Sequence, residues 1–200
     1  MTYAYHKFLD FFTTANKERL DGLNEAHFDG MSPEERSKAF DYLLERVLNG
    51  GSRESVGGLF VADPVRAVPI VRQLLDSGKL REDAEISAAW ELYQIQADSS
   101  LIPVFIRLMS SANETNRSNA AFYVPADALT PDLDAALKGM IRTETETLPL
   151  VNAINKLLEC HGITRESVSK EDFSKFYLGL RSDVLADKEK TFRHLDNLSS

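Results

Sequence analysis

A single cysteine, Cys160, rules out any internal disulfide framework and points to a reducing compartment. Long apolar runs are also missing. The longest stretches free of charge and strong polarity, Leu101 to Ile106 and Ala120 to Ala126, fall far short of the roughly 20 residues a bilayer span needs. His6 and Lys7 interrupt Met1 to Asp10, so no secretory core is expected there and the cytoplasm is the expected address. Positive charge is scarce: 23 Lys plus Arg against 31 Asp plus Glu give a net charge of -8. That balance argues against a general nucleic-acid binder and against adhesion to anionic membrane. Period-two alternation bounded by hairpin turns is absent, and no Asn-Gly or Asp-Gly is flanked by β-branched residues, so no substantial sheet is expected.

The composition is that of an ordered chain, with 43% hydrophobic and 27% charged residues among 200, enough to bury a real core. Its apolar spacing is helical. Tyr5, Phe8, Leu9 and Phe12 mark a first helix over roughly 3–15. Ser32 and Glu35 form a capping box with Pro33 at the first helical position, before the stripe Phe40, Leu43, Leu44, Val47 and Leu48 that Gly50 and Gly51 end. Further stripes follow at Ile86, Ala89, Trp90 and Tyr93, at Leu150, Val151, Ile154, Leu157 and Leu158, and at Phe173, Phe176, Tyr177 and Leu180. Asp63-Pro64, Ser99-Ser100 and Thr130-Pro131 mark additional helix starts, and Ser169 with Asp172 another. The fold class is all-α, about ten helices in one continuous domain.

Two patterns recur. Small residues precede a large apolar one in Gly57-Gly58-Leu59, Ala88-Ala89-Trp90 and Ala120-Ala121-Phe122. A proline near a helix start is flanked by branched residues in Val68-Pro69-Ile70, Ile102-Pro103-Val104 and Leu148-Pro149-Leu150. Small residues let one helix approach its neighbour while the next supplies bulk between layers. On these residues the chain resembles the HEAT-like helical repeats, best over Glu85 to Met109 and more weakly over 53–77 and 115–142. The resemblance implies a short right-handed α-solenoid of antiparallel helix pairs. Its repeats would span 53–160, with N-terminal capping helices over 1–50 and C-terminal ones over 165–198. An irregular helical bundle is the competing topology.

Catalytic chemistry is not legible. His6, His27, His161 and His194 are scattered, with no two at metal-ligand spacing. Cys160-His161 is the one suggestive neighbour pair, but adjacent helical residues diverge, and a core cysteine beside a surface or capping histidine accounts for it. The glycine pairs at 50–51 and 57–58 lack the Lys-Ser/Thr of a phosphate loop and read as turns or close helix contacts. Asp132 and Asp134 diverge on a helix and suit its positive N-terminus. No cofactor, metal or catalytic residue is expected.

The charge is uneven. Residues 82–137 hold nine acids (Glu82, Asp83, Glu85, Glu91, Asp98, Glu114, Asp127, Asp132, Asp134) against Arg107 and Arg117, a local charge of -7. Such a field favours a basic partner protein, whereas acids spread all round a surface serve only solubility. Two candidate partner surfaces compete: the acidic set Glu82, Asp83, Glu85, Glu91 and Asp98, and the polar positions of the second helices. The latter would line the inner curve of a solenoid, at Arg72, Gln73, Asp76, Arg107, Asn152, Asn155 and Glu159. The expected function is a protein-binding module without catalysis, a bacterial-type immunity or inhibitor protein that neutralises a basic, nuclease-type toxin. A HEAT-like scaffold or a HEAT-like enzyme or lyase are the alternatives.

Overall fold

The computed structural model describes residues 2–13 and 22–198, and among them every regular element is helical: eleven α-helices, three short 3-10 turns and no strand. None of these helices is long and apolar enough to cross a membrane. The chain divides into two compact units, Met1–Ala97 and Asp98–Ser200. The boundary falls inside the stretch 85–109 that reads best as a repeat. It follows Ala97, which ends its helix with a left-handed φ of 47°.

The first unit contains α1 (Tyr3–Thr13), a 3-10 turn (Glu25–His27), α2 (Pro33–Leu48), α3 (Arg53–Ala62), α4 (Pro64–Asp76) and α5 (Glu82–Gln96). Thr14 and Ala15, assigned by spacing to the first helix, lie outside the described residues. The buried face of α1 is Tyr5, Phe8 and Phe11, with Leu9 and Phe12 only half-buried. Phe11 turns inward because His27 of the 3-10 turn meets its ring edge-on at 5.2 Å. The capping box at α2 forms as its sequence dictates, Ser32 Oγ accepting from the Glu35 amide and Glu35 from the Ser32 amide. The same carboxylate accepts from the Thr2 amide at 2.6 Å and its hydroxyl at 2.9 Å, tying the chain start to α2. At the centre α3 touches α2, α4 and α5. Gly58 makes this possible: a Cβ there would stand 2.8 Å from Leu23 Cδ1 and 3.1 Å from Leu43 Cδ1. Pro69 lies in the interior of α4 and not near a helix start, because Asp63 caps that helix and Pro64 opens it. The ring deprives the Val65 carbonyl of its helical donor, at a residue that is 82% exposed.

The second unit contains a 3-10 turn (Ser99–Leu101), α6 (Ile102–Leu108), α7 (Glu114–Tyr123), a 3-10 turn (Ala126–Ala128), α8 (Pro131–Thr143), α9 (Thr147–Cys160), α10 (Lys170–Arg181) and α11 (Leu185–Leu198). The start expected at Ser99-Ser100 is capped one residue earlier, by Asp98 accepting from the Ser100 amide at 2.9 Å. Here α9 is central, against α7, α8 and α10. The last helix is more than a tail. Phe192 and Leu195 are buried, and Lys188, itself buried, donates to the Ile141 carbonyl of α8 at 2.7 Å. Arg142 of α8 pairs with Glu189 at 2.6 Å and covers the Phe192 ring at 4.8 Å.

Two helical glycines of this unit predict opposite outcomes. A Cβ on Gly139 of α8 meets nothing within 4 Å, so Gly139→Ala should stabilise by about 1 kcal/mol through helix propensity alone. A Cβ on Gly179 of α10 would collide with Thr191 Oγ1 of α11, so Gly179→Ala should destabilise by about 1–3 kcal/mol despite the same propensity gain. Denaturant unfolding of both variants checks the pair.

Candidate functional site

Eight of the nine acids in the -7 segment occupy helix starts. Glu82, Asp83 and Glu85 lie in the first turn of α5, Asp98 caps the following 3-10 turn, and Glu114, Asp127, Asp132 and Asp134 lie in the first turns after it. Helix dipoles and unsatisfied first-turn amides account for acids at such positions. Glu91 is the exception. It sits in the third turn of α5, with no dipole to favour it.

The geometry around Glu91 follows from the periodicity of α5. Asp83, Ser87 and Glu91 are four residues apart and form one stripe toward α3. The Arg53 amide donates to Asp83 Oδ2 at 3.4 Å, and Ser87 Oγ donates to the Arg53 carbonyl at 3.3 Å. One turn further on, α3 presents Gly57. An ideal Cβ at that glycine would lie 3.7 Å from Glu91 Oε1 and 3.9 Å from Ser87 Oγ, so the glycine leaves a notch over the carboxylate. Glu91 makes no hydrogen bond or ion pair with any described residue, and burial pushes its carboxyl above the usual range. Four residues on along the helix, Ile95 is 52% exposed. The site thus sets a half-buried carboxylate beside an exposed apolar side chain.

The other candidates of the first unit are placed as follows. Glu82 is exposed, Glu85 is buried, and Asp83 also lies 3.5 Å from the Arg81 guanidinium. On α4, Arg72 donates to Gln96 Oε1 of α5 at 2.9 Å, and Asp76 is exposed at the helix end. In the second unit Arg107 and Asn155 are exposed, while Glu159 pairs with Lys156 at 2.7 Å. Asn152 donates to the Ser118 hydroxyl at 2.8 Å, which joins α9 to α7.

The second unit also assembles a cluster that the sequence reading misses. Asp134 of α8, His161 at the end of α9 and Asp196 of α11 bring three potential ligand atoms within 4.8 Å of one another. Lys138 sits among them, its ammonium 2.6 Å from Asp134 and 2.5 Å from Asp196, while His161 Nε2 lies 3.0 Å from Asp134 Oδ1. A lysine therefore fills the place a metal cation would take, and the cluster reads as a clamp between helices. Burial lowers the Lys138 value, but the two aspartates outweigh it and leave the ammonium favoured. Of the two places expected for His161, surface or cap, it takes the second: it is the C-cap of α9, with its side chain 4% exposed and turned toward Asp134. Burial raises the Cys160 thiol to about 11, so it stays protonated at neutral pH and is a poor nucleophile. The i,i+4 spacing of Asp134 and Lys138 is the one local signal of this cluster. His161 and Asp196 join it only through tertiary packing.

A cleft of about 540 Å³ in the same unit is lined by Arg117 and Glu144. The two form a bidentate pair at 2.6 and 3.2 Å, and Arg117 also donates to the Ser111 carbonyl at 3.0 Å. The Arg117 hydrogen bond, against the cost of burial, holds the Glu144 carboxyl below its usual range. Both groups are spent on joining loops. No protein-family model, curated protein or solved structure matches the chain, so its own geometry carries the functional reading.

Lys138→Met should destabilise the protein by about 1–3 kcal/mol at neutral pH, because it leaves two carboxylates facing one another, one of them largely exposed. The folded Lys138 value is raised, so its contribution is full below the unfolded value and is lost as pH rises through the folded one. Denaturant melts at neutral and strongly alkaline pH should show the deficit of the variant shrinking at the alkaline end.

Proposed function

We propose that the chain is a protein-binding module without catalysis, an immunity or inhibitor protein of the bacterial type that neutralises a basic, nuclease-type toxin. In this reading its helices form a short HEAT-like solenoid, and Glu91 receives a lysine or arginine of the toxin. The observation that carries the proposal is the half-buried Glu91 carboxylate, which has burial but no partner group among the described residues, under the notch of Gly57. A desolvated charge that gains its counter-ion only in the complex is worth more than a rim charge, and it rejects partners lacking the cation. Ile95 supplies the apolar contact beside it. The remaining acids near the start of α5 contribute long-range attraction to a basic surface.

The free protein bears a cost for this arrangement. Because the folded value of Glu91 is raised, its ionisation opposes folding as pH rises through that value, and the penalty is absent below the unfolded value. A cation in the complex would reverse the shift, so binding releases a proton and weakens as pH falls through the raised value of the free protein.

Glu91→Gln should therefore raise the melting temperature of the free protein at neutral pH and weaken the complex by about tenfold or more. Gly57→Ala should also stabilise the free protein, by about 1 kcal/mol, while its methyl group narrows the notch and lowers affinity. The measurement is titration calorimetry against the product of the neighbouring open reading frame, paired with a test of that product for nuclease activity. Complex formation with activity intact would make the chain a scaffold. Unchanged affinity in both variants would remove Glu91 from the interface.

A further inference from the structure

The second unit carries a surface of the opposite sign. Between α10 and α11 runs an open cleft of about 630 Å³. On α11 its lining follows one helical stripe, Asp187, Lys190, His194 and Asn197. Ten residues at 1.5 Å each make a trough of about 15 Å. On α10 the facing stripe is Lys175, Leu178 and Ser182. Gly179 forms the floor, because its missing side chain lets α10 touch Thr191 of α11.

Three cations line this trough, and Lys175, Lys190 and Arg193 form no ion pair with any described residue. The neighbouring acids are used elsewhere. Glu189 pairs with Arg142, Asp196 with Lys138, and Asp187 accepts from the Ser182 hydroxyl at 2.8 Å. Arg193 is near enough to help hold the Glu189 carboxyl down, yet Arg142 provides the larger effect. Apolar surface accompanies the cations: Leu178 is 64% exposed within the trough, and the buried Phe176 ring backs His194 at 4.9 Å.

We propose that this trough binds an acidic peptide segment carrying apolar side chains. Its length suits four or five extended residues at about 3.3 Å each. The cations come from both walls, Lys175 from α10 and Lys190 and Arg193 from successive turns of α11, a spacing that suits successive carboxylates. Asp187 at one end and Leu178 in the wall oppose a continuous phosphate backbone and favour a peptide whose acids alternate with apolar residues. The cations steer and orient the segment, while Leu178 provides contact area. The site is separate from Glu91 in sequence, in unit and in sign, and does not depend on the function proposed above.

The experiment is fluorescence anisotropy of the full chain with a labelled peptide of alternating glutamate and leucine. Saturable binding that weakens with added salt is expected. The exposed triple change Lys175→Glu, Lys190→Glu and Arg193→Glu should lower affinity at least about tenfold, because it sets like charges against one another across the contact. Leu178→Ser should lower it without changing the salt dependence, and thermal melts report whether each variant keeps its fold. Glu91→Gln should leave this binding unchanged, which separates it from the interface at α5. The proposal is overturned if binding does not saturate, if the folded triple variant binds as tightly as the parent, or if a thymidine oligonucleotide or inorganic phosphate competes as well as unlabelled peptide.

Discussion

The close approach of α3 to its neighbours is the constraint on which the first unit depends. A helix that contacts α2, α4 and α5 must be slender, and Gly58 makes it so where Leu43 and Leu23 arrive. The backbone cost of glycine within a helix is about 1 kcal/mol per residue relative to alanine, and burial of Val56, Leu59 and Phe60 on the same helix offsets it. Gly57 bears the same cost with no such packing reason. A side chain would fit there, at ordinary van der Waals distance from Glu91 and Ser87. One glycine of the pair is thus explained by the core, and the other by the carboxylate it leaves uncovered.

Helix signals written in adjacent residues were the legible part of this fold. The capping residues Ser32, Asp63, Thr130 and Ser169 all accept the first-turn amides expected of them. Where local reading departs from the structure, a distant residue intervenes. Phe11 takes the inward position on α1 because His27 reaches it, and His161 is drawn in by Asp134, 27 residues away. The notch at Glu91 was half-legible: the spacing of Asp83, Ser87 and Glu91 defines a stripe, but the sequence does not say that Gly57 faces it.

The excess of acids between residues 82 and 137 changes meaning once each acid is assigned to its helix. Acids at the starts of successive helices are what short helices with closely spaced N-termini accumulate, and their sum alone does not define a face. Glu85 is buried, Asp83 is hydrogen-bonded, Asp134 is clamped by Lys138, and Asp98 closes a turn. A count of charge therefore overstates what is available to a partner. The part of the field that needs explanation is one carboxylate.

The contrast between buried charges in the two units sharpens that point. Lys138 and Lys188 are both buried, and each finds acceptors on another helix, Asp196 for the first and the Ile141 carbonyl for the second. Those bonds hold α11 against α8 and offset the desolvation of the ammonium groups. Glu91 loses solvent without gaining any such bond from a described residue, and its burial is uncompensated among them. Glutamine at position 91 would remove that cost without any change of backbone. Among the described residues the two buried lysines are satisfied and this half-buried glutamate is not, which is why the proposed interface is centred on it.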